Sequence, residues 1–153
     1  MTATNRVPRA TVACLLVSRD RVLLAPMEER PDGRQFLTLP GGELRFGETL
    51  EGGIRREIRE ALGCGVEELR SVGFSENLLR WQEEPRHELA FLFAGRPDDE
   101  RLESAETVDM AYDGATLPAR WLDLVDLSRT GLPVLPNGAF DHIRVLIGGR
   151  GEE

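Results

Sequence analysis

At 153 residues, 41% of them apolar and 30% charged, the chain is long enough for one globular domain with a real hydrophobic core. A net charge of −8 opposes a duplex nucleic acid partner unless cations intervene, and leaves metal-bridged phosphates open. All 19 basic residues are arginine, which excludes Schiff-base lysine chemistry and the P-loop lysine.

In chain order, residues 1–9 read as a flexible tail without the apolar core of a signal peptide. Strands are predicted over Thr11 to Ser18 and Arg21 to Met27, joined by a two-residue loop at Arg19-Asp20. The strongest helix runs from Thr49, an N-cap residue, to Leu62, with Gly63 behind it. At about 100° per residue, Leu50, Ile54, Ile58 and Leu62 form one apolar stripe, which Glu57 borders. Gly52 and Gly53 weaken this helix by roughly 1 kcal/mol each against alanine. Further strands are expected at Val72 to Arg80, His87 to Ala94 and Ala119 to Leu124, with loops at 81–86 and 96–118. Phe140 to Ile147 reads as a short helix after the Pro136-Asn137-Gly138 turn, and 148–153 as a second tail. Strands around one strong helix make a compact α/β or α+β sandwich, a single domain over residues 1–153. No run reaches the length of a membrane span, and two scattered cysteines, Cys14 and Cys64, form no disulfide framework; the expected location is cytoplasmic.

Residues 40–64, PGGELRFGETLEGGIRREIREALGC, carry the chemistry. Glutamates three apart on a helix project from neighbouring turns, their Cβ atoms about 5–6 Å apart, and can gather a hard cation. Gly41 and Gly42 let backbone approach a metal or phosphate without a Cβ in the way. The plainer reading of REIRE is a solvated face with Arg–Glu support at i,i+4. Against it, Gly42, Glu48, Arg56, Glu57, Ile58, Glu60 and Gly63 stand at the spacing of the Nudix box. Six of that pattern's seven Gly, Glu and Arg positions match, an event with chance odds of roughly one in 10⁴ or less. Ala61 occupies the place of one consensus glutamate, and Cys64 that of the last aliphatic. Position 61 lies on the core-facing side of Glu57, near the edge of the apolar stripe, where alanine is comfortable.

The segment thus resembles the Nudix hydrolases. That resemblance implies an α/β/α sandwich with a mixed sheet and a central loop-helix motif. It implies metal-dependent hydrolysis of a nucleoside diphosphate linked to another moiety, with Mg²⁺ or Mn²⁺ as cofactor and a homodimer as the assembly. Glu57 and Glu60 become metal ligands, joined by Gly42 and by Glu88 of the stretch RHELAFLF; Arg56 and Glu48 become an ion pair orienting loop on helix. Together these four box residues, Glu48, Arg56, Glu57 and Glu60, form the expected catalytic set, with Gly41, Gly42 and Trp81 against the substrate. Glu103 and Glu106 are further carboxylate candidates, and Tyr112 and Trp121 further aromatic faces for a base. Phe36 adjoins Leu37 where many members carry an aromatic, and Arg45 stands where an acidic residue is common. Ala61 supports the alternative of a catalytically impaired protein that keeps the fold and binds a nucleotide or metabolite. A glutamate restored at 61 should tighten Mg²⁺ binding and, on the hydrolase reading, raise the hydrolytic rate.

Overall fold

β1 (Arg9–Ser18) is buried on both faces, which is why it reads as an unbroken apolar run rather than an alternation. Successive side chains point to opposite sides of a strand. Val12, Cys14 and Leu16 therefore meet Ile54 and Ile58 of α1 (Leu50–Leu62), while Ala13 and Leu15 join a second core with Leu127 and Ile143. Those last two belong to α3 (Leu124–Thr130) and α4 (Ala139–Ile143), so helices cover both faces of the sheet. This computed structural model describes residues 6–29, 33–81 and 84–148, without the side chains at 29 and 79–81.

The sheet is mixed and runs β5-β6-β1-β2-β3-β9. β2 is Arg21–Glu29, β3 Arg34–Thr38, β5 Val66–Trp81, β6 Glu84–Pro97 and β9 Val134–Leu135. β1 is parallel to β6, from Arg9 opposite Glu88 to Leu16 opposite Gly95. Its other edge is shared: Val17 and Ser18 pair with β2, whereas Thr11, Val12 and Ala13 pair with β4 (Gly41–Glu43). β8 (Ala115–Leu122) extends β2 and carries β7 (Val108–Tyr112) beyond it. α2 (Glu100–Ser104) lies between β6 and β7, and α4 passes into one π-helical turn, Arg144–Gly148.

Several expectations change. Arg9 already belongs to β1 and Gly148 closes the last helical turn, while residues 1–5 and 149–153 lie outside the described residues. The expected loop at 96–118 contains α2, β7 and the start of β8. Its turn is Asp113-Gly114 with φ of 48° and 81°, the two positive values a tight hairpin needs. The strand expected to reach Leu124 stops at Leu122, because Asp123 caps α3 by accepting from the Asp126 amide at 2.8 Å. Of the loop expected at 81–86, Trp81 ends β5 opposite Glu84 and residues 84–86 belong to β6, while 82 and 83 lie outside the described residues. β4 is a strand through its ladder with β1, which two glycines do not announce in sequence.

Candidate active site

α1 is fixed at both ends as its sequence dictates. Thr49 Oγ1 accepts from the Gly52 amide at 3.0 Å, and Gly63, at φ 73°, donates its N–H to Arg59 O. Ile54, Ile58 and Ala61 are buried beneath it. Gly53 has its reason in packing: a Cβ there would stand 2.5 Å from the Leu44 side chain, so the loop after β4 lies directly on the helix.

Glu48 and Arg56 tie that loop down. Arg56 Nε meets Glu48 Oε2 at 2.5 Å and Nη2 meets Oε1 at 2.9 Å, a two-pronged contact matched to the carboxylate plane. Glu48 also accepts from the Arg45 amide at 2.8 Å. These bonds, Arg56 first, hold the Glu48 carboxyl down at about 2, against an ordinary value of 4.5. Arg56 spends its remaining donors on the Glu43 carbonyl (3.0 Å), Glu57 Oε1 (2.8 Å) and Glu60 Oε2 (3.1 Å). Bonding to Glu48 first, and then to Glu57, raises the guanidinium pKa still further against the opposing effect of burial.

Glu57 closes over Gly42. A Cβ on Gly42 would lie 2.5 Å from Glu57 Oε2, so the carboxylate occupies the space the glycine leaves. Both line a cavity of about 310 Å³ running along β1 where that strand pairs with β4. Glu43, Glu88, Arg9 and Arg86 also face it. Asn77 and Arg9 both stand opposite Glu88 in the ladder, on either side of it, which puts all three on one face of the sheet. Arg9 pairs with Glu43, and Arg86 approaches Glu88 at 3.7 Å. Away from these charges the wall is formed by Phe36, Thr38, Asn77, Tyr112, Leu135 and Pro136. Asn77, only 3% exposed, accepts from the Asn137 amide at 2.8 Å and donates to Ser75 Oγ at 3.1 Å, holding the turn after β9 against β5. Burial raises the Tyr112 phenol pKa, opposed by its hydrogen bond with Thr38.

Of the residues singled out from sequence, Gly41, Gly42, Glu57, Glu88 and Tyr112 meet at the cavity, and Glu48 and Arg56 brace its lip. Glu60 is half-exposed beside it, paired with Arg45 at 3.3 Å as well as with Arg56. Trp81 ends β5, and its side chain lies outside the described residues. Trp121 is packing: it is buried, its indole N–H donates to Leu102 O, and Arg21 lies over its ring. Glu103 accepts from Ser18 Oγ instead of facing the cavity, and Glu106 is exposed outside it. His87 meets Glu76 at 2.7 Å on the surface. Arg9, Glu43, Arg86 and Asp113 escaped the sequence reading. Glu43 had a local signal, being next to Gly42; Arg9 and Arg86 reach the cavity through strand register, and Asp113 through the β7–β8 turn.

Among the described residues no three His, Cys, Asp or Glu side chains are gathered closely enough to cage a cation. The cavity's acidic donors are nonetheless carboxylates, with a cradle at Gly42 that a Cβ would fill. That set fits Mg²⁺, which keeps several waters and takes one or two carboxylates along with phosphate oxygens. It does not fit a closed all-protein site.

A NUDIX domain model matches residues 7–145. The chain belongs to the NUDIX family. Among solved structures it resembles a NUDIX hydrolase from Nitrosomonas europaea at 19% identity and TM-score 0.65, covering 96% of this chain and 92% of that one. A MutT NUDIX hydrolase from Burkholderia pseudomallei gives 21% identity and TM-score 0.63, covering 90% and 96%. A bifunctional NMN adenylyltransferase/ADP ribose pyrophosphatase from Francisella tularensis gives 19% and 0.57, with 97% of this chain covering 43% of that one. At these identities the likeness carries the fold: a NUDIX α/β/α sandwich with its loop-helix motif at residues 42–63. Among the described residues no helix is long and apolar enough to cross a membrane.

Proposed function

We propose that this NUDIX protein hydrolyses the phosphoric anhydride of a nucleoside diphosphate linked to another moiety. The observation that carries this reading is the Glu57 carboxylate seated over Gly42 at a cavity that Glu43, Glu88, Arg9 and Arg86 also face. Water adds to one phosphorus, the bridging P–O bond breaks, and the products leave as two phosphate groups with release of a proton. A bound Mg²⁺ or Mn²⁺ would neutralise charge on the anhydride and acidify a coordinated water. Glu57 and Glu88 would hold it, with the Gly42 backbone beside them and Glu60 one turn further along α1. Arg56 and Glu48 are positioning residues that keep the β4–α1 loop and Glu57 in place. Gly41 and Gly42 leave room for phosphate, Tyr112 and Phe36 offer faces to a planar group, and Trp81 is the further aromatic assigned to substrate.

A second reading, binding without efficient turnover, is favoured by the burial of Ala61 and the lack of a three-carboxylate cage among the described residues. A panel of nucleoside diphosphate sugars, dinucleotides, ADP-ribose and damaged nucleotides, run with Mg²⁺ and with Mn²⁺, separates the two. Phosphate or nucleotide release from at least one class supports hydrolysis. Binding by calorimetry with no release across the panel supports the second. Two free buried cysteines fit the cytoplasmic assignment, and the homodimer is proposed from family likeness.

A further inference from the structure

We propose that Arg9 and Arg86 grip the diphosphate by exchanging partners: each leaves the carboxylate it now faces, and Glu43 and Glu88 are released into the cavity. This rests on the hydrolase reading and adds how the anion and the cation are bound. Among the described residues, Arg9 and Arg86 are the cations facing the cavity, and both arrive there already matched to glutamates on the same wall. A guanidinium takes phosphate oxygens through the same forked donors that take a carboxylate, and a diphosphate carries more charge than one glutamate. The exchange is cheap where the existing pair is wet. Arg9 and Glu43 are 44% and 55% exposed, and such pairs contribute little. The Arg86–Glu88 pair is drier, 30% and 22% exposed, and what loosens it is its separation of 3.7 Å, too long for a hydrogen bond.

Glu88 lies between Asn77 and Arg9 on one face of the sheet, Glu43 stands opposite Thr11 in the β1–β4 ladder, and both already line the cavity into which they would be released. The released carboxylates also answer the deficit at Ala61, which is buried and supplies no oxygen. The consequence is coupling. Without diphosphate the glutamates are held by arginine and a divalent cation binds poorly; without cation the diphosphate must compete with those glutamates. Each ligand then strengthens the other by the same factor, as linkage requires.

The test titrates the full chain with Mn²⁺ alone, imidodiphosphate alone, and each in the presence of the other, following free Mn²⁺ by electron paramagnetic resonance and the anion by calorimetry. In wild type each should tighten the other by about tenfold or more, within the usual range for coupled sites. Arg9→Gln should weaken imidodiphosphate about tenfold, the scale of one charge-assisted hydrogen bond, while Mn²⁺ alone binds more tightly because Glu43 is freed. Opposite movement of the two affinities is the signature, since a merely structural lesion weakens both. Arg86→Gln repeats the test through Glu88 should the first variant fail to fold. Independent binding in wild type, or variants in which both affinities fall or neither moves, overturns the exchange and leaves the hydrolase reading standing. A wild type that binds neither ligand overturns both.

Discussion

Arg56 and Arg9 face glutamates at the same cavity, yet they are held very differently. Arg56 is 17% exposed and bonds to Glu48, Glu57, Glu60 and the Glu43 carbonyl. Arg9 is 44% exposed and pairs with the Glu43 carboxylate. The first arrangement is made within one loop and helix, from residues at most thirteen apart. The second joins residues 34 apart and depends on β1 lying beside β4. A half-buried, multiply bonded pair resists separation because either partner alone would be left desolvated and unmatched, whereas a wet pair exchanges readily. Arg56 and its partners are therefore a fixed frame, while Arg9 and the Glu43 carboxylate are the charges proposed above to move.

Breaking the fixed side should have the largest effect. Glu57→Gln keeps the shape over Gly42 and removes the charge. We expect turnover of any substrate found in the panel to fall about 10²- to 10⁴-fold, the range for loss of a group acting directly on a proton or reacting charge. Because Glu57 is only partly buried, stability should shift by about 1 kcal/mol or less, roughly 2–4 °C in melting temperature for a domain of this size. Activity within a few-fold of wild type would remove Glu57 from the site, and a collapsed melting curve would make it structural instead.

Glu48→Gln loosens the frame without touching the cavity. A supporting residue of this kind is worth about 10- to 100-fold in activity or metal affinity. Its pH behaviour distinguishes it from other lesions. The folded Glu48 carboxyl sits at about 2, below its ordinary 4.5, so the unfolded chain holds the proton more readily. Its contribution to stability is complete above 4.5 and is lost as pH falls toward 2. The melting temperatures of wild type and Glu48→Gln should therefore differ at neutral pH and converge across that window. A constant difference would show that the charge on Glu48 is not what holds the loop.

The same contrast explains what could be read from sequence. That Gly42, Glu48, Arg56 and Glu57 lie together was legible through the resemblance to the Nudix box, whose spacing a turn and a helix convert into geometry within a few residues. Ile54 and Ile58 were legible as core by their helical spacing. Arg9 and Arg86 were not, since nothing in their own neighbourhoods says which strand lies alongside. β7 was missed although Asp113-Gly114 is a strong hairpin signal, because the acidic run before it reads as a solvated loop. The glycines at 52 and 53 looked like defects, and at Gly53 only the packed structure reveals that Leu44 needs the room.

Ala61→Glu sharpens the comparison and should change turnover least while the fold is intact. From sequence, a carboxylate at 61 stands one turn from Glu57 and should tighten Mg²⁺ binding. The structure places Ala61 at 7% exposure in the core cluster with Ile58, Cys64 and Val66, and it is absent from the cavity wall. A glutamate there must desolvate its charge or push out of the helix–sheet interface. We expect a loss of roughly 1–3 kcal/mol in the metal-free protein, about 3–10 °C in melting temperature. Saturating Mn²⁺ should not recover that loss, because position 61 is packed in the core cluster while Glu43 and Glu88, which line the cavity, are the carboxylates within reach of a cation there. Thermal melts of wild type and variant, with and without Mn²⁺, decide the matter. A variant as stable as wild type without metal would mean position 61 is not part of the core. Full recovery by Mn²⁺ would mean that the carboxylate reaches the cation, and that the fixed side of this cavity lacks only the one ligand that alanine replaced.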